Sequence, residues 1–347
     1  MSAAEAEAAG GILPAPRHDD PRDAPRLRWG VLAPGQIARD FVDALLAFSD
    51  QQVVAVGSRS LERARAFAQP RGIARAYGSY EELVGDADVD VVYVAAPHSE
   101  HARLALLAIA AGKHVLVEKP LAVTAAEGRT IATAARSAGV FAMEAMWTRY
   151  LPQTDVARRL LADGSVGDVR VVTADFGGRA PYDPTSRMYD PRLGGGALLD
   201  LGVYPVSWAV FALGLPQTVY ATGQLAGTGV DDQVALVLTA SGGGQALLST
   251  GLRAGTPSTA TISGTAGRIE VDAPFWAPSG LRFWGPDDQE PRRWRVPSGL
   301  RGRQGMVHEA AALARYVGEG RTVSPLHPLD EAVGTLAVLD EARRQLG

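Results

Sequence analysis

The segment Gly112-Lys-His-Val-Leu-Val-Glu-Lys-Pro120 decides how the first half of this chain is interpreted. Its composition predicts a short buried strand over 115–117 that ends abruptly at Glu118, Lys119 and Pro120. Ligands of an open α/β sheet bind beyond the carboxyl ends of its strands, so we expect the Lys119 ammonium where chemistry occurs. The plain alternative is a surface lysine ahead of a helix, and the surrounding segments decide between the two.

Strands and helices alternate on both sides of this segment. We predict strands over 27–33, 53–56, 89–95 and 140–146, and helices over 35–48, from 61, over 79–84, 99–111 and 124–137. Alternation at this spacing predicts an α/β, doubly wound parallel sheet of the Rossmann type.

The turn Ala33-Pro-Gly35-Gln-Ile-Ala38 joins the first predicted strand to the first helix and is a variant of the glycine-rich dinucleotide fingerprint. Gly35 allows backbone N–H groups to approach a pyrophosphate, and Ala38 allows close packing of helix on strand. Ala33 makes the match imperfect, and a simple strand-to-helix turn is the alternative. The position in the alternating pattern favours dinucleotide contacts from Ala33, Gly35, Gln36 and Ile37.

Ser58, Arg59 and Ser60 follow the second strand, about twenty residues beyond the glycines. A ribose 2′-hydroxyl usually meets Asp or Glu at this place, whereas a 2′-phosphate prefers Arg and hydroxyl donors. The sequence therefore favours NADP over NAD. In the structural alternative Arg59 is solvated and Ser60 caps the helix that begins at Leu61, and both roles are compatible.

The turn over 95–101 follows another strand, and we expect Pro97, His98 and His101, with Glu118 and Lys119, to line the cofactor cleft. His98 and His101 are three residues apart, which suggests a metal site. No third ligand stands at the spacing of a zinc site, so we predict no metal.

The pattern changes after Met146. Trp147-Thr-Arg149 places an aromatic ring beside a guanidinium, a pair suited to a polyhydroxylated ligand, although Trp147 can equally seal a domain junction. A helix over 152–162 and a strand over 169–176 follow.

The segment Gly194-Gly-Gly-Ala-Leu-Leu-Asp-Leu-Gly-Val-Tyr-Pro205 leads into an apolar run over 197–213 that predicts a buried helix. Asp200 and Tyr204 are four residues apart and share one face of such a helix. A buried carboxylate needs a partner. Either the two form a structural polar pair, or they face the nicotinamide from the wall opposite Lys119.

Beyond residue 217 short strands follow one another without helices, which predicts an α+β second domain with a large, mainly antiparallel open sheet. We expect strands over 219–225, 233–240, 245–252, 258–263 and 267–271, and closing helices over 306–317 and 330–346. The predicted units are a disordered tail over 1–26, a dinucleotide-binding domain over 27–148, and a substrate-binding domain over 149–347.

The whole-chain composition excludes several classes. A net charge of −4 gives no basic footprint for nucleic acid, and apolar runs broken by Gly, Pro or charges predict no membrane span. The 347 residues include no cysteine, which excludes disulfides and thiolate chemistry and fits a cytoplasmic location. A small-molecule ligand is the expected partner.

Taken together, the motifs at Ala33–Ala38, Glu118-Lys119-Pro120, Trp147-Thr-Arg149, 194–204 and Ser263-Gly-Thr-Ala-Gly267 resemble the glucose-fructose oxidoreductase and inositol dehydrogenase (Gfo/Idh/MocA) superfamily. Tyr204, where many members have His, resembles the branch of dimeric dihydrodiol dehydrogenases and NADP-dependent D-xylose 1-dehydrogenases. The resemblance implies NADP, a homodimer through the second-domain sheet, and a Lys119–Tyr204 catalytic pair with Asp200 binding substrate or orienting the pair. Pocket positions implied more weakly are Trp147, Arg149, Phe176 and Trp276.

Hydride transfer from a carbinol carbon requires an acid/base at the substrate oxygen. We expect the Lys119 cation to lower the pKa of Tyr204 for this purpose. The leading hypothesis is an NADP-dependent dehydrogenase of an aldose at C1, such as D-xylose, or of a vicinal diol. Its alternatives are a sugar–sugar oxidoreductase or redox-assisted glycosidase with a tightly held nicotinamide, and a non-catalytic NADP sensor.

Overall fold

Two β-sheets organise the part of the chain that the computed structural model describes, residues 13–17, 20–297 and 299–347. The first sheet has six parallel strands in the order β3-β2-β1-β4-β5-β6. Its strands are β1 Arg28–Leu32, β2 Gln52–Gly57, β3 Arg75–Tyr77, β4 Val91–Val94, β5 His114–Glu118 and β6 Ala142–Ala145. The helices that connect them are α1 Gln36–Phe48, α2 Leu61–Ala68, α3 Tyr80–Val84, α4 His101–Ala110 and α5 Ala125–Ala138.

This arrangement confirms the predicted doubly wound sheet. Every residue of β4 and β6 is buried, which is typical of parallel strands covered on both faces. Ser60 caps α2, since its hydroxyl oxygen accepts from the Arg63 N–H at 3.3 Å. β1 pairs with β2 on one side and β4 on the other, so the strand order reverses beside β1, where ligands of such sheets bind.

The second sheet has eight strands in the order β14-β13-β12-β11-β7-β10-β9-β8. β7 and β10 are parallel and the other neighbours are antiparallel, which confirms the predicted mainly antiparallel sheet. Its strands are β7 Val169–Gly177, β8 Thr218–Leu225, β9 Asp231–Thr239, β10 Gln245–Gly251, β11 Ala260–Gly264, β12 Arg268–Val271, β13 Gly280–Trp284 and β14 Arg292–Arg295. The remaining helices are α6 Pro152–Ala162, α7 Val203–Leu213, α8 Val307–Gly318 and α9 Leu329–Leu346.

Contrary to the prediction, the apolar run over 197–213 is not one continuous α-helix. Leu198–Gly202 is a π-helical turn, and α7 begins only at Val203. The segment Pro191–Leu213 is long and apolar enough to cross a membrane, contrary to expectation, but 83% of its most apolar window is buried inside this protein. Burial against the second sheet and α9 accounts for its composition.

The last two helices join the two sheets. α8 packs against α1 and against the turn Trp147–Tyr150, and α9 packs against both α5 and β8. The end of the chain therefore holds the two halves of the structure together.

The predicted disordered tail is wrong for residues 13–17 and 20–26. Leu13 is buried in the main core, and the Arg17 N–H donates to Asp155 Oδ2 at 2.9 Å. Pro21–Asp23 forms a 3-10 turn, and Ala24 packs beside Ala311 and Ala314 of α8. A few apolar residues spaced by prolines carry this packing, so no periodicity reveals it. Residues 1–12, 18 and 19 of the predicted tail lie outside the described residues.

Candidate active site

A cavity of about 590 Å³ lies at the carboxyl edge of the first sheet, a size typical of ligand sites. It brings together residues from both halves of the chain. Among the predicted site residues, those in its wall are Ala33, Gly35, Gln36, Ile37, Ser58, Arg59, Ser60, Pro97, His98, His101, Glu118, Lys119, Trp147, Phe176, Asp200, Tyr204 and Trp276.

Arg149 does not line the cavity, and its predicted contact with substrate is wrong. The side chain is buried on the far side of the Trp147–Tyr150 turn, where NH1 pairs with Glu331 Oε1 at 2.5 Å. The same nitrogen donates to the Ser207 carbonyl at 3.2 Å, and NH2 donates to that of Leu326. The 3-10 turn directs neighbouring side chains in different directions, so Trp147 faces the cavity and Arg149 faces the core.

Several lining residues escaped the sequence analysis. Arg63 lies in the first turn of α2, just after the predicted contacts at residues 58–60, and this position at the start of the helix was the signal for it. Arg187 and Arg303 lie outside the α-helices and strands, where no periodic signal marks them. The missed residues in the wall are Pro34, Arg63, Tyr80, Arg187, Leu201, Arg303 and Met306, whereas Ala95 and Ala96 belong to the turn over 95–101 that was predicted to line the cleft.

The glycine-rich turn fits the binding of a dinucleotide. Gly35 has an ordinary φ of −113°, and a Cβ placed on it would meet no described atom closer than the Ala33 carbonyl oxygen at 3.9 Å. The protein itself does not require glycine there, so its small size leaves room for an occupant of the cavity. Ala33 has a left-handed φ of 59°, which forms the tight turn. Gly35 provides no side-chain cap, so the first N–H groups of α1 are free to bind a phosphate.

Lys119 and Asp200 form a buried ion pair at the centre of the cavity. Lys119 Nζ lies 3.1 Å from Asp200 Oδ1 and 2.5 Å from the Asp200 carbonyl oxygen. Arg187 NH1 also lies 3.4 Å from Asp200 Oδ1. Burial alone would raise the pKa of Asp200, but the charges of Lys119 and Arg187 outweigh it and hold this pKa well below its usual range. Asp200 is therefore a carboxylate that fixes the Lys119 ammonium in place.

His98 completes this group as a neutral imidazole. Its Nδ1 lies 2.9 Å from the Gly194 carbonyl oxygen, which only accepts, so Nδ1 carries the hydrogen. Nε2 then faces Asp200 Oδ1 at 3.7 Å. Burial lowers the pKa of His98 to about 3. Gly194 permits this approach, because a Cβ there would lie 2.8 Å from His98 Cβ.

The ring nitrogens of His98 and His101 lie against other groups of the protein. Both ring nitrogens of His101 meet backbone carbonyls, of Pro120 at 2.8 Å and of Ala96 at 2.9 Å. Within residues 13–17, 20–297 and 299–347, no group of three or more His, Asp or Glu side chains is arranged to hold a metal ion. His101 instead ties together the turns that follow β4 and β5.

Tyr204 enters the same cavity from the start of α7. Trp147 Nε1 donates to its hydroxyl oxygen at 2.8 Å, and Lys119 Nζ lies 5.1 Å from the centre of its ring. Burial raises the pKa of Tyr204 well above its usual value, and the Glu118 and Asp200 carboxylates add to this effect. The expected lowering of this pKa by Lys119 is therefore not observed, because burial dominates. Tyr204 is a neutral phenol with a proton to donate.

Aromatic rings form the wall next to Tyr204. Phe176 and Trp276 are stacked at 5.0 Å with an interplanar angle of 12°, and Trp147 lies 5.9 Å from Trp276. The Tyr204 ring lies 5.5 Å from that of Phe176. This part of the cavity suits a ligand with an apolar face and hydroxyl groups on its edge.

Glu118 anchors the end of β5 below the cavity. The Tyr93 hydroxyl donates to Glu118 Oε1, and the Lys119 N–H donates to Glu118 Oε2 at 3.1 Å. Burial raises the pKa of Glu118. These contacts fix the backbone that presents Lys119.

Known proteins share both halves of this architecture. Residues 27–146 match the family described as "Oxidoreductase family, NAD-binding Rossmann fold", and residues 154–270 match the GFO/IDH/MocA C-terminal domain. The trans-1,2-dihydrobenzene-1,2-diol dehydrogenase of Xenopus laevis is 40% identical over 325 residues, which cover 92% of this chain and 98% of the relative. The mouse enzyme of the same name is 40% identical over 332 residues, with 92% and 97% covered.

A solved structure agrees with these relatives. A 3-ketoreductase from Actinomadura kijaniata, in complex with NADP and TDP-benzene, is 28% identical with a TM-score of 0.78 and covers 92% of this chain and 98% of its own. The match spans both sheets and the cleft between them. This chain is therefore an oxidoreductase that belongs to the GFO/IDH/MocA family.

Proposed function

We propose that this oxidoreductase uses NADP to move hydride to or from the carbinol carbon of a cyclic vicinal diol or of an aldose at C1, such as D-xylose. One observation carries the proposal: Lys119, Asp200 and Tyr204 meet in a single cavity whose other end is lined by the glycine-rich turn. A protein that only senses NADP needs no proton donor and no cation beside the bound ligand, so these three residues favour an enzyme.

The preference for NADP is supported by the residues after β2. Ser58, Arg59, Ser60 and Arg63 line one end of the cavity, and two guanidiniums with two hydroxyls suit a 2′-phosphate. No carboxylate of the described residues after β2 lines this end to bind a ribose 2′-hydroxyl. The solved ketoreductase is in complex with NADP, which agrees with this assignment.

The residues of the cavity divide the proton chemistry among them. When bound, the nicotinamide supplies or accepts the hydride. Because the Tyr204 oxygen accepts from Trp147, its own hydrogen is directed elsewhere, and no other described residue accepts it. Tyr204 therefore donates this proton to the substrate oxygen during reduction and takes it back during oxidation. Lys119, oriented by Asp200, polarises the same oxygen and stabilises negative charge on it.

The substrate class follows from the aromatic wall and from the relatives. The stacked Phe176 and Trp276 rings offer a flat apolar surface, and Lys119 and Arg187 offer donors to hydroxyl oxygens. The curated relatives are named for a trans-diol of a six-membered ring, which combines an apolar ring with two adjacent hydroxyls on its edge. A pyranose has the same division between C–H face and hydroxyl edge.

The second sheet supports a homodimer. Tyr220, Val237 and Leu247 lie in register across β8, β9 and β10 and form an apolar row. Val171 of β7, which pairs with Gln245, lies diagonally across from Leu247. Tyr220, Leu247 and Val171 are exposed in the single chain. A second copy would cover this row, since monomers rarely expose contiguous apolar patches. We place the enzyme in the cytoplasm, in agreement with its lack of cysteine.

The test is formation of NADPH at 340 nm with a panel of aldoses, polyols and cyclic trans-diols, repeated with NAD. Turnover with a diol or aldose and preference for NADP support the proposal. A protein that binds NADPH but turns over none of the panel contradicts the substrate class. Cofactor retained through gel filtration would instead favour a sugar–sugar oxidoreductase or redox-assisted glycosidase.

A further inference from the structure

The turn Gly302–Met306 comes from the second half of the chain but lies against α1, the helix that follows the glycine-rich turn. Gly305 seats the turn closely, because a Cβ there would lie 2.5 Å from Pro278 Cγ and 3.0 Å from Leu151 Cδ2. Arg303 and Met306 both line the cavity. The turn therefore brings a cation from the second half of the chain to the dinucleotide end of the cavity.

Arg303 is held by a carboxylate that would itself repel a phosphate. Its NH1 pairs with Asp40 Oδ2, while Gln36 Nε2 donates to Asp40 Oδ1 at 2.9 Å. Gln36 begins α1 and Asp40 lies about one turn further on, so the Asp40 charge is close to the free N–H groups of that helix. Among the described residues, Arg303 has no other hydrogen-bond partner, and its side chain is 53% exposed. Most of its donors are therefore available to a ligand.

We propose that Arg303 binds the diphosphate of the nicotinamide dinucleotide and that its ion pair with Asp40 breaks when it does so. This inference rests on the proposed function. Arg59 and Arg63 are already assigned to the 2′-phosphate, whereas Arg303 is bonded to α1 itself. A guanidinium matches two phosphate oxygens at once. In the free enzyme Asp40 holds this guanidinium at the cavity wall.

A purely structural role makes a different prediction. The ion pair joins side chains that are 53% and 23% exposed, and exposed pairs contribute little to stability. If Arg303 served only to neutralise Asp40, removing both charges would restore cofactor binding. If Arg303 binds the diphosphate, removing both leaves binding weak.

The experiment measures the Kd values of NADPH and NADH by fluorescence. Arg303→Ala is expected to raise both Kd values by about ten- to a hundredfold, the loss typical of a charge-assisted contact. Arg59→Ala is expected to raise the Kd of NADPH alone. Arg301→Ala is the matched control, because Arg301 is exposed in the same turn and lies outside the cavity wall. Adenosine 2′-monophosphate, which lacks a diphosphate, should compete equally well in the wild type and in Arg303→Ala.

The double variant Asp40→Asn/Arg303→Ala decides between the two roles. Persistent weak binding supports the proposal, and wild-type affinity overturns it. An unchanged NADPH Kd in Arg303→Ala also overturns it. If the alanine variant does not fold, Arg303→Lys, which keeps the charge without the fork, should show an intermediate Kd, and a wild-type Kd would contradict the proposal. A wild type that binds neither dinucleotide overturns the proposed function, and this inference with it.

Discussion

Two groups of buried ionisable side chains flank the turn that follows β5. The cavity cluster consists of Lys119, Asp200, His98 and Tyr204. The junction cluster consists of Glu144, His327, Glu331 and Arg149, and it is tied to the same turn because the Leu121 N–H donates to Glu144 Oε1 at 2.7 Å. Both contain the residue types that chemistry uses, yet only the first opens onto the cavity.

The charges of the junction cluster pair with one another, and Arg149 Nε, which has no partner among the described residues, is buried away from the cavity. Glu144 Oε2 lies 2.7 Å from His327 Nε2, His327 Nδ1 lies 3.0 Å from Glu331 Oε1, and that oxygen lies 2.5 Å from Arg149 NH1. Each charged group meets a charged or polar partner from a distant segment, so the cluster joins α9 to the first sheet. In the cavity cluster the Tyr204 proton has no acceptor among the described residues. A buried charge therefore indicates function only where some of its bonding capacity faces a cavity.

Tyr204→Phe should have the largest effect on catalysis of the substitutions that compare the two clusters. Loss of the acid/base is expected to lower kcat by about 10² to 10⁴, with the Kd of NADPH unchanged. Tyr150→Phe is the matched control, because the Tyr150 hydroxyl is also buried and lies 2.9 Å from Ser324 Oγ, but outside the cavity wall. We expect it to leave kcat within about twofold while costing about 1 kcal/mol of stability. A fully active Tyr204→Phe would remove this residue from the mechanism.

Arg149→Met, in the junction cluster, should lower stability and leave catalysis unchanged. Removing one partner of a buried ion pair leaves Glu331 and the junction cluster uncompensated, which costs about 3 to 5 kcal/mol of unfolding free energy. The KM for substrate should stay unchanged, since the side chain does not line the cavity. Urea unfolding and steady-state kinetics measure the two effects separately.

The control for this change is Arg136→Met, which breaks an exposed pair with Asp330 at the start of α9. Its expected cost is below about 1 kcal/mol. A raised KM in Arg149→Met at full stability would contradict the structure and return Arg149 to the substrate site.

The two clusters should also differ in their response to acid. The folded-state pKa of His98 is lowered to about 3 by burial, so between about pH 6.5 and pH 3 the unfolded chain binds more protons at this residue. Stability should fall as the pH falls through this window, by about 1.4 kcal/mol per pH unit for this one group. In the junction cluster, despite its burial, the His327 and Arg149 contacts lower the pKa of Glu331 to about 2. Its contribution is complete above about pH 4.5 and is lost only below it.

Thermal unfolding of the wild type and His98→Asn from pH 7 to pH 4 checks this order. The variant should lose stability less steeply between pH 6.5 and pH 4.5, where Glu331 does not yet titrate. Parallel curves for the two proteins would show that His98 is not buried in its neutral form.

The same contrast explains how far sequence reasoning reached. The fold was predictable, because alternation of strand and helix and the motif at Ala33–Ala38 are local patterns. Lys119 was located because the end of a parallel strand is a place defined by topology. Arg149 was misplaced, because its partner Glu331 lies far along the chain and no local pattern links them. Arg303 and Arg187 were missed for the same reason.

Asp200 and Tyr204 show how far sequence reasoning reaches within one segment, residues 197–213. Their spacing correctly brought both to one surface, but through a π-helical turn at Leu198–Gly202 and not through a regular helix. The Leu198 N–H donates to Asp231 Oδ2 of β9 at 2.6 Å. The sequence of the segment alone does not predict this contact. Burial also reversed the expected direction of the Tyr204 pKa, since its extent depends on distant Trp147, Phe176 and Trp276.

Trp147→Phe should have the smallest effect on activity of these variants. It tests what a single hydrogen bond contributes within the cavity cluster. The indole N–H donates to the Tyr204 oxygen and opposes the rise in the Tyr204 pKa that burial causes. The variant keeps the aromatic wall but loses one hydrogen bond, worth about 0.5 to 1.5 kcal/mol. We expect kcat/KM to fall by about two- to tenfold with NADPH affinity unchanged. A loss as large as that of Tyr204→Phe would mean that Trp147 takes part in proton transfer, whereas no change would mean that Tyr204 is oriented by Lys119 and its ring contacts alone.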